Sequence, residues 1–280
     1  MKAKSWKRSR LIGKLPVYLF IILVLIGILF PIFWMVSTAI KPEAEYLASP
    51  PIYIPQNPTF SAFSEVYKNL LFPALSNSLI ICSLSTLLAV IIGSLAAYGF
   101  VRFDFPGRKN IIFWIFSTRM FPPVITAIPL FLLFKRAHLI DTHLGLILIY
   151  TMFNLPFVVI LMHSFFQALP KELEESAWIE GCSYLGSFFR ISLPLTFPGV
   201  IASTMFSFIF AWNEFFFALV FTRTRAGTLP LAIAGLHATW GVAWGQIAAL
   251  TIIITLPVIM LCFLLQKQLI RGMTFGALKG

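Results

Sequence analysis

Six stretches of this chain stay apolar for about twenty residues or more: 15–36, 76–100, 110–134, 144–166, 199–221 and 246–265. At 1.5 Å per residue, each is long enough to cross a hydrocarbon layer of ~30 Å. In lipid, every backbone N–H and C=O must be paired within its own segment or within a closed barrel. The ten-residue alternation of barrel strands is absent, so the six runs predict helices. Composition agrees, with 59% hydrophobic and 11% charged residues, where soluble domains carry roughly 25% charged residues. The expected fold class is an all-α integral membrane protein with six transmembrane helices.

The net charge of +11 would point to nucleic acid if the basic residues formed a patch. They lie instead at the ends of the apolar runs, which argues against a nucleic-acid partner and for a lipid bilayer. An even number of spans puts both termini on one side. With the N-terminus inside, the inner segments hold fourteen Lys and Arg and the outer loops hold six. That bias places both termini in the cytoplasm. The basic start (Lys2, Lys4, Lys7, Arg8, Arg10, Lys14) precedes an apolar run longer than the roughly 7–15 residues of a signal-peptide core. It reads as an uncleaved first span.

The organisation is then a basic N-terminus (1–14), a first span (15–36), a proline-rich extracytoplasmic loop (37–75), a transmembrane core (76–266) and a cytoplasmic tail (267–280). Between the last two spans, Trp240 and Trp244 suit a water–lipid boundary, and a re-entrant or interfacial helix is expected there. Cys82, Cys182 and Cys262 form no paired spacing, and the four histidines show no ligand motif, so no metal is expected.

The inner segment 169–197 holds four of the ten carboxylates. It is longer than the two to eight residues of a simple helix connection. Pro170 suits the first position of a helix, and Glu172, Glu174 and Glu175 follow where carboxylates favour the helix dipole. Leu173, Ala177 and Gly181 line one helical stripe, and Gly181 is a good C-terminal stop. A second short helix can run through Tyr184, Leu185, Phe188, Phe189 and Ile191 until Pro194 ends it. On residues alone, the segment is either a docking surface or an amphipathic loop resting on the membrane.

This run resembles the signature of permease subunits of binding-protein-dependent ABC importers, which reads E-A-A, three residues, G, nine residues, then I-x-L-P. The match falls on Glu175, Ala177, Gly181, Ile191, Leu193 and Pro194, with Ser176 where the family has its first alanine. Further likeness to the carbohydrate branch, as in maltose-system permeases, lies at Asn77-Ser-Leu79, Leu95-Ala-Ala-Tyr98-Gly-Phe-Val-Arg102-Phe103, Trp212-Asn-Glu-Phe215 and the ending 271–280. The resemblance implies a type I ABC importer permease whose cytoplasmic coupling-helix loop docks on an ATPase. Glu174, Glu175, Ala177, Gly181, Ile191, Leu193 and Pro194 are then the ATPase-coupling set. It further implies a bacterial or archaeal cytoplasmic membrane, a second and distinct permease subunit, two cytoplasmic ATPases and an extracytoplasmic solute-binding protein. The tail 273–280 would reach between the ATPases. The chain lacks a G-x-x-x-x-G-K-[S/T] phosphate loop. It is therefore expected to be no enzyme and to bind no cofactor, with ATP and Mg used by the partner ATPase.

Ionisable residues inside a span are costly and face protein or water. Arg119 and Glu214 are expected to form a structural ion pair or to line a polar pathway. Asn154 and Asn213 offer the donors and acceptor that a sugar hydroxyl needs, or else bond neighbouring helices. All four are substrate-pathway candidates. The alternative function is a secondary transporter driven by an ion gradient, with Glu214 and Arg119 as relay groups. The expected absence of broken helices argues against it. A membrane-embedded enzyme would need an acid, base or nucleophile cluster that the spans do not contain.

Overall fold

The computed structural model describes residues 2–238 and 241–274. Its helices are α1 (Lys2–Ala39), α2 (Ser61–Val66), α3 (Phe72–Arg102), α4 (Arg108–Thr118), α5 (Pro123–Arg136) and α6 (His143–Ala168). They continue with α7 (Glu172–Ile179), α8 (Tyr184–Ser187), α9 (Leu193–Leu195), α10 (Phe197–Trp212), α11 (Phe216–Phe221), α12 (Leu229–Gly235) and α13 (Trp244–Thr274). A two-residue antiparallel pair, His237–Ala238 with Gly241–Val242, precedes α13. The expected interfacial Trp240 and most of the tail 273–280 lie outside the described residues. Trp244 is exposed.

The chain forms two compact units. The smaller comprises Met1–Asn69 with Leu236–Ile253. Its long α1 presents Val17–Val36 with no side chain buried before Ser37, as suits a helix bathed in lipid. The proline-rich segment folds back on the end of α1: Ser37 Oγ donates to Tyr53 O at 2.5 Å, and Thr59 N–H donates to Ile40 O at 2.8 Å. Lys41 is buried against the Trp34 ring, 4.1 Å from its centroid. Such a contact holds a cation where water is scarce.

The larger unit comprises Leu70–Gly235 and the chain from Ile254 on. Its centre is the packing of α3 on α6, with Ala89, Ala97, Val158, Met162 and Phe166 buried between them. Small residues let the two backbones approach. A Cβ built on Gly93 would stand 2.7 Å from Val158 Cγ1, so this crossing requires glycine. α10 packs on both helices, and Trp212 Nε1 donates to Ile254 O at 3.1 Å.

Two expected spans are not single helices. The third, expected over 110–134, is broken between α4 and α5 with a bend of 100°. Pro122 and Pro123 cause it, because neither carries an N–H to continue the helix and Pro122 forces the preceding residue out of helical geometry. The fifth, expected over 199–221, ends at Trp212 and restarts at Phe216. The expectation of unbroken helices is thus corrected, and the argument drawn from it against an ion-driven carrier lapses. Among the described residues, four helices are long and apolar enough to cross a membrane, or up to six if each bent pair counts as one span.

Candidate functional site

The segment 169–197 is built as its sequence directs, with one inversion. α7 opens with Glu172, Glu174 and Glu175 in its first turn. It stops at Gly181, whose φ of +89° only glycine adopts without strain. The stop is sealed by Gly181 N–H to Trp178 O at 3.0 Å and Cys182 N–H to Ala177 O at 2.9 Å. Ser183 then caps the next helix, its Oγ accepting from Gly186 N–H at 3.1 Å. The helical run does not end at Pro194 as expected. It passes through a π-type turn at Phe188–Ser192 into α9, and the bend of 79° falls at Thr196. Pro194 lies within this run, at the start of α9.

The inversion concerns Glu174. Instead of facing outward with Glu175, it is buried. Its carboxylate accepts from Arg102 Nε at 2.8 Å, Tyr98 OH at 3.1 Å and Ser192 Oγ at 2.5 Å. Arg102 is buried with it and also donates to Leu169 O at 3.3 Å. Trp178 Nε1 donates to Ser187 Oγ at 2.8 Å, and Tyr184 packs edgewise on Trp178 and on Phe103. One carboxylate therefore fastens α7 both to the C-terminal end of α3 and to the run that leads into α10. No local spacing links Glu174 or Ser192 to this cluster; the available signal is that Tyr98 and Arg102 fall four residues apart, on one face at the end of an apolar helix.

What α7 presents outward is Leu173, Glu175, Ser176, Ile179 and Gly181, with Ala177 half-buried. Ile179 is 88% exposed. Apart from its chain neighbours, no atom of the described residues lies within 4 Å of a Cβ built on Gly181, so the ground in front of it is open. Ile191 and Leu193 are half-buried, and Leu193 packs against the α3–α6 core.

The membrane-embedded polar residues divide differently from the expectation. Arg119, Asn154 and Glu214 line one cleft of about 110 Å³, together with Tyr150, Phe153 and Phe210. Among the described residues, Arg119 and Glu214 form no ion pair, which corrects that alternative. Arg119 stands at the α4–α5 break, its guanidinium 5.5 Å from the Phe157 ring and 5.3 Å from the Phe210 ring. Glu214 accepts Phe217 N–H at 2.9 Å and so starts α11. Asn154 donates to Ser207 O at 3.2 Å, a bond between α6 and α10. Asn213 is exposed, bonds back to Ile209 O at 2.8 Å and does not line the cleft.

At the opposite end of the larger unit, Asp141 adopts φ +58°. Its carboxylate accepts the N–H groups of Arg223, Thr224, Arg225 and Ala226 at 3.0–3.2 Å. Partial burial would raise its pKa, but these four N–H groups outweigh that and hold it down at about 2. Asn77 Nδ2 donates to Arg225 O at 2.9 Å and Gly227 O at 3.0 Å, and Ser78 Oγ accepts Leu229 N–H at 2.8 Å.

Residues 89–275, which contain the loop, the cleft and the Arg102–Glu174 pair, match the family described as binding-protein-dependent transport system inner membrane component. The chain belongs to this family. The permease is 32% identical over 276 residues to the diacetylchitobiose uptake system permease protein of Streptomyces coelicolor, covering 98% of this chain and 100% of that protein. It is 36% identical over 278 residues to the trehalose/maltose transport system permease protein of Thermococcus litoralis, covering 98% and 99%. A crystal structure of a bacterial ABC transporter involved in the import of the acidic polysaccharide alginate shares its fold. That likeness has a TM-score of 0.75 at 24% identity, over 93% of this chain and 97% of the other. The permease is thus a membrane-embedded transport component and not an enzyme. Its ATPase is a separate subunit, and a solute-binding protein belongs to the system.

Proposed function

We propose that this permease forms half of the translocation path for a sugar or a related polar solute. It pairs with a second, distinct permease, above two cytoplasmic ATPases that use ATP and Mg, in the cytoplasmic membrane of a bacterium or archaeon. Both termini face the cytoplasm, so that α7 meets an ATPase and the Asp141 end meets the solute-binding protein. The observation that carries the reading is the construction of the inner loop. It exposes Glu175, Ile179 and Gly181 on open ground while Glu174 fastens the same helix to α3 and to the run entering α10. A push on the exposed face is delivered to two spans at once, because a bolted helix moves as a rigid body. Closure of the ATPases would drive the paired loops together and swing the spans from inward- to outward-facing.

The sugar class is supported by the relatives, whose names include diacetylchitobiose and trehalose/maltose uptake. The cleft lining also fits, since Arg119 offers donors, Glu214 an acceptor, and Phe153 and Phe210 apolar faces for a ring. The test is uptake by the complete transporter in proteoliposomes. Transport that needs both ATP and the solute-binding protein, and stops with vanadate, is the expected result. Uptake driven by an ion gradient without ATP would overturn the reading.

A further inference from the structure

Arg119 borders two cavities. One is the cleft of about 110 Å³ that it lines with Tyr150, Asn154 and Glu214. The other, of about 340 Å³, lies between the α4–α5 break and α6, and Arg119 and Phe153 line both. The larger is on the scale of sites for small organic solutes, roughly 300–1,000 Å³. A guanidinium inside a span is costly unless it finds a partner. Among the described residues, that of Arg119 has no hydrogen bond and no ion pair, only the rings of Phe157 and Phe210 at 5.5 and 5.3 Å. The two rings hold the group without using any of its N–H donors.

The other side-chain donors around the two cavities are mostly spent. Thr118 Oγ1 gives its proton to Ile115 O at 2.7 Å, Thr126 Oγ1 to Pro123 O at 2.9 Å and Tyr150 OH to Glu214 O at 3.1 Å. Asn154 gives one of its two N–H groups to Ser207 O at 3.2 Å. The Glu214 carboxylate accepts Phe217 N–H at 2.9 Å, which offsets part of its charge. No such group answers the charge of Arg119. What remains on offer is a positioned fork of charged donors, with a carboxylate acceptor in the same cleft but not paired with it.

We infer that the solute of this permease is an acidic sugar, whose carboxylate pairs with the Arg119 guanidinium during passage. A carboxylate meets the planar fork with two parallel bonds, which a single sugar hydroxyl cannot do. Glu214 and Asn154 are then left to take ring hydroxyls. The inference deepens the proposed function and rests on it. A carboxylate of the second permease is the rival partner for Arg119. The cavities on both sides of the guanidinium favour a solute, because a permanent ion pair needs contact and not free volume.

The test is saturation-transfer NMR on the full transporter in nanodiscs of zwitterionic lipid, without ATP. The probes are D-glucuronate and D-glucose, which differ only by a carboxylate in place of a hydroxymethyl group. Glucuronate should bind about ten-fold or more tightly than glucose. Arg119→Gln should bring glucuronate down to the level of glucose, with the unfolding temperature unchanged in the absence of sugar. Arg119→Lys keeps the charge without the fork and should retain part of the preference. Asn213→Ala, outside the cleft, should retain all of it. Glucose bound as tightly as glucuronate overturns the inference and leaves a neutral-sugar path standing. A preference that survives in Arg119→Gln overturns it, because the anion then binds elsewhere. A lower unfolding temperature of Arg119→Gln without sugar also overturns it, in favour of an ion pair with the second permease. Binding of neither sugar overturns it together with the sugar reading of the cleft. Uptake without ATP would overturn the proposed function itself, so the failures are distinct.

Discussion

Two carboxylates clamp the two ends of the larger unit, by different means. At one end Glu174 is buried and bonded to side chains: a guanidinium, a phenol and a hydroxyl. At the other end Asp141 is partly exposed and bonded mainly to backbone N–H groups, with the Thr224 hydroxyl also donating at 3.2 Å and no ion pair among the described residues. The inner clamp, on the proposed orientation, joins whole helices through strong, directional, dry contacts. The outer clamp shapes a loop with weaker bonds in partial contact with water. An ion pair in a dry site fails badly when one partner is removed, whereas a nest of N–H groups degrades gradually.

Breaking the inner clamp should therefore have the largest effect. Glu174→Ala leaves the buried Arg102 uncompensated, a loss of about 3–5 kcal/mol. We expect a lower unfolding temperature of the purified transporter and ATP hydrolysis no longer tied to uptake. The double variant Glu174→Gln with Arg102→Met should recover much of the stability. If Glu174→Ala transports normally with normal ATP economy, the force-transmitting role is wrong. Gly181→Val comes next. Its φ of +89° makes any side chain strained by roughly 1–2 kcal/mol, and the added bulk fills the open ground in front of α7. Membrane insertion should persist while uptake is lost.

Asp141→Asn should be milder, about 1–2 kcal/mol, because the amide oxygen still accepts while the charge is gone. The sign of the pH effect follows from the depressed pKa, about 2 against an ordinary 3.8. The clamp's contribution is fully present above the ordinary value and is lost as pH falls towards 2. The protection of the amides at residues 223–226, measured as exchange relative to the intrinsic rate at each pH, should fall only in that acid window. Loss of protection near neutrality would refute the assignment.

The smallest effects belong to the cleft. Glu214→Gln keeps the acceptor for Phe217 N–H, so folding should be unchanged while solute uptake falls. If uptake is also unchanged, Glu214 is not in the path. Asn213→Ala, outside the cleft, should leave both apparent solute affinity and membrane levels as they are, and a loss of affinity would return Asn213 to the path.

Much of this was legible in the chain, for local reasons. The apolar runs, Gly181 as a stop and Pro170 before α7 are read from neighbours a few residues apart. The breaks were legible too but outweighed. Pro122-Pro123 lies in a run hydrophobic enough to read as one span, and hydropathy does not register a missing N–H. Asn213 and Asn154 looked alike in sequence, and only their places on the folded helices separate an exposed amide from a cleft-lining one.

Sequence by itself determined that the chain enters a membrane as helices and carries a loop of small residues and carboxylates at a fixed distance from Ile191-Ser-Leu193-Pro194. Periodicity and spacing act over short range, and lipid leaves a helix no alternative way to pair its backbone. Only the tertiary structure decided which carboxylate of that loop turns inward. Arg102 and Glu174 are 72 residues apart, and Asp141 and the N–H groups it holds are 82 to 85 apart. Contacts of that span depend on how α3, α6 and α10 pack, a property of volumes and helix faces that no local pattern records.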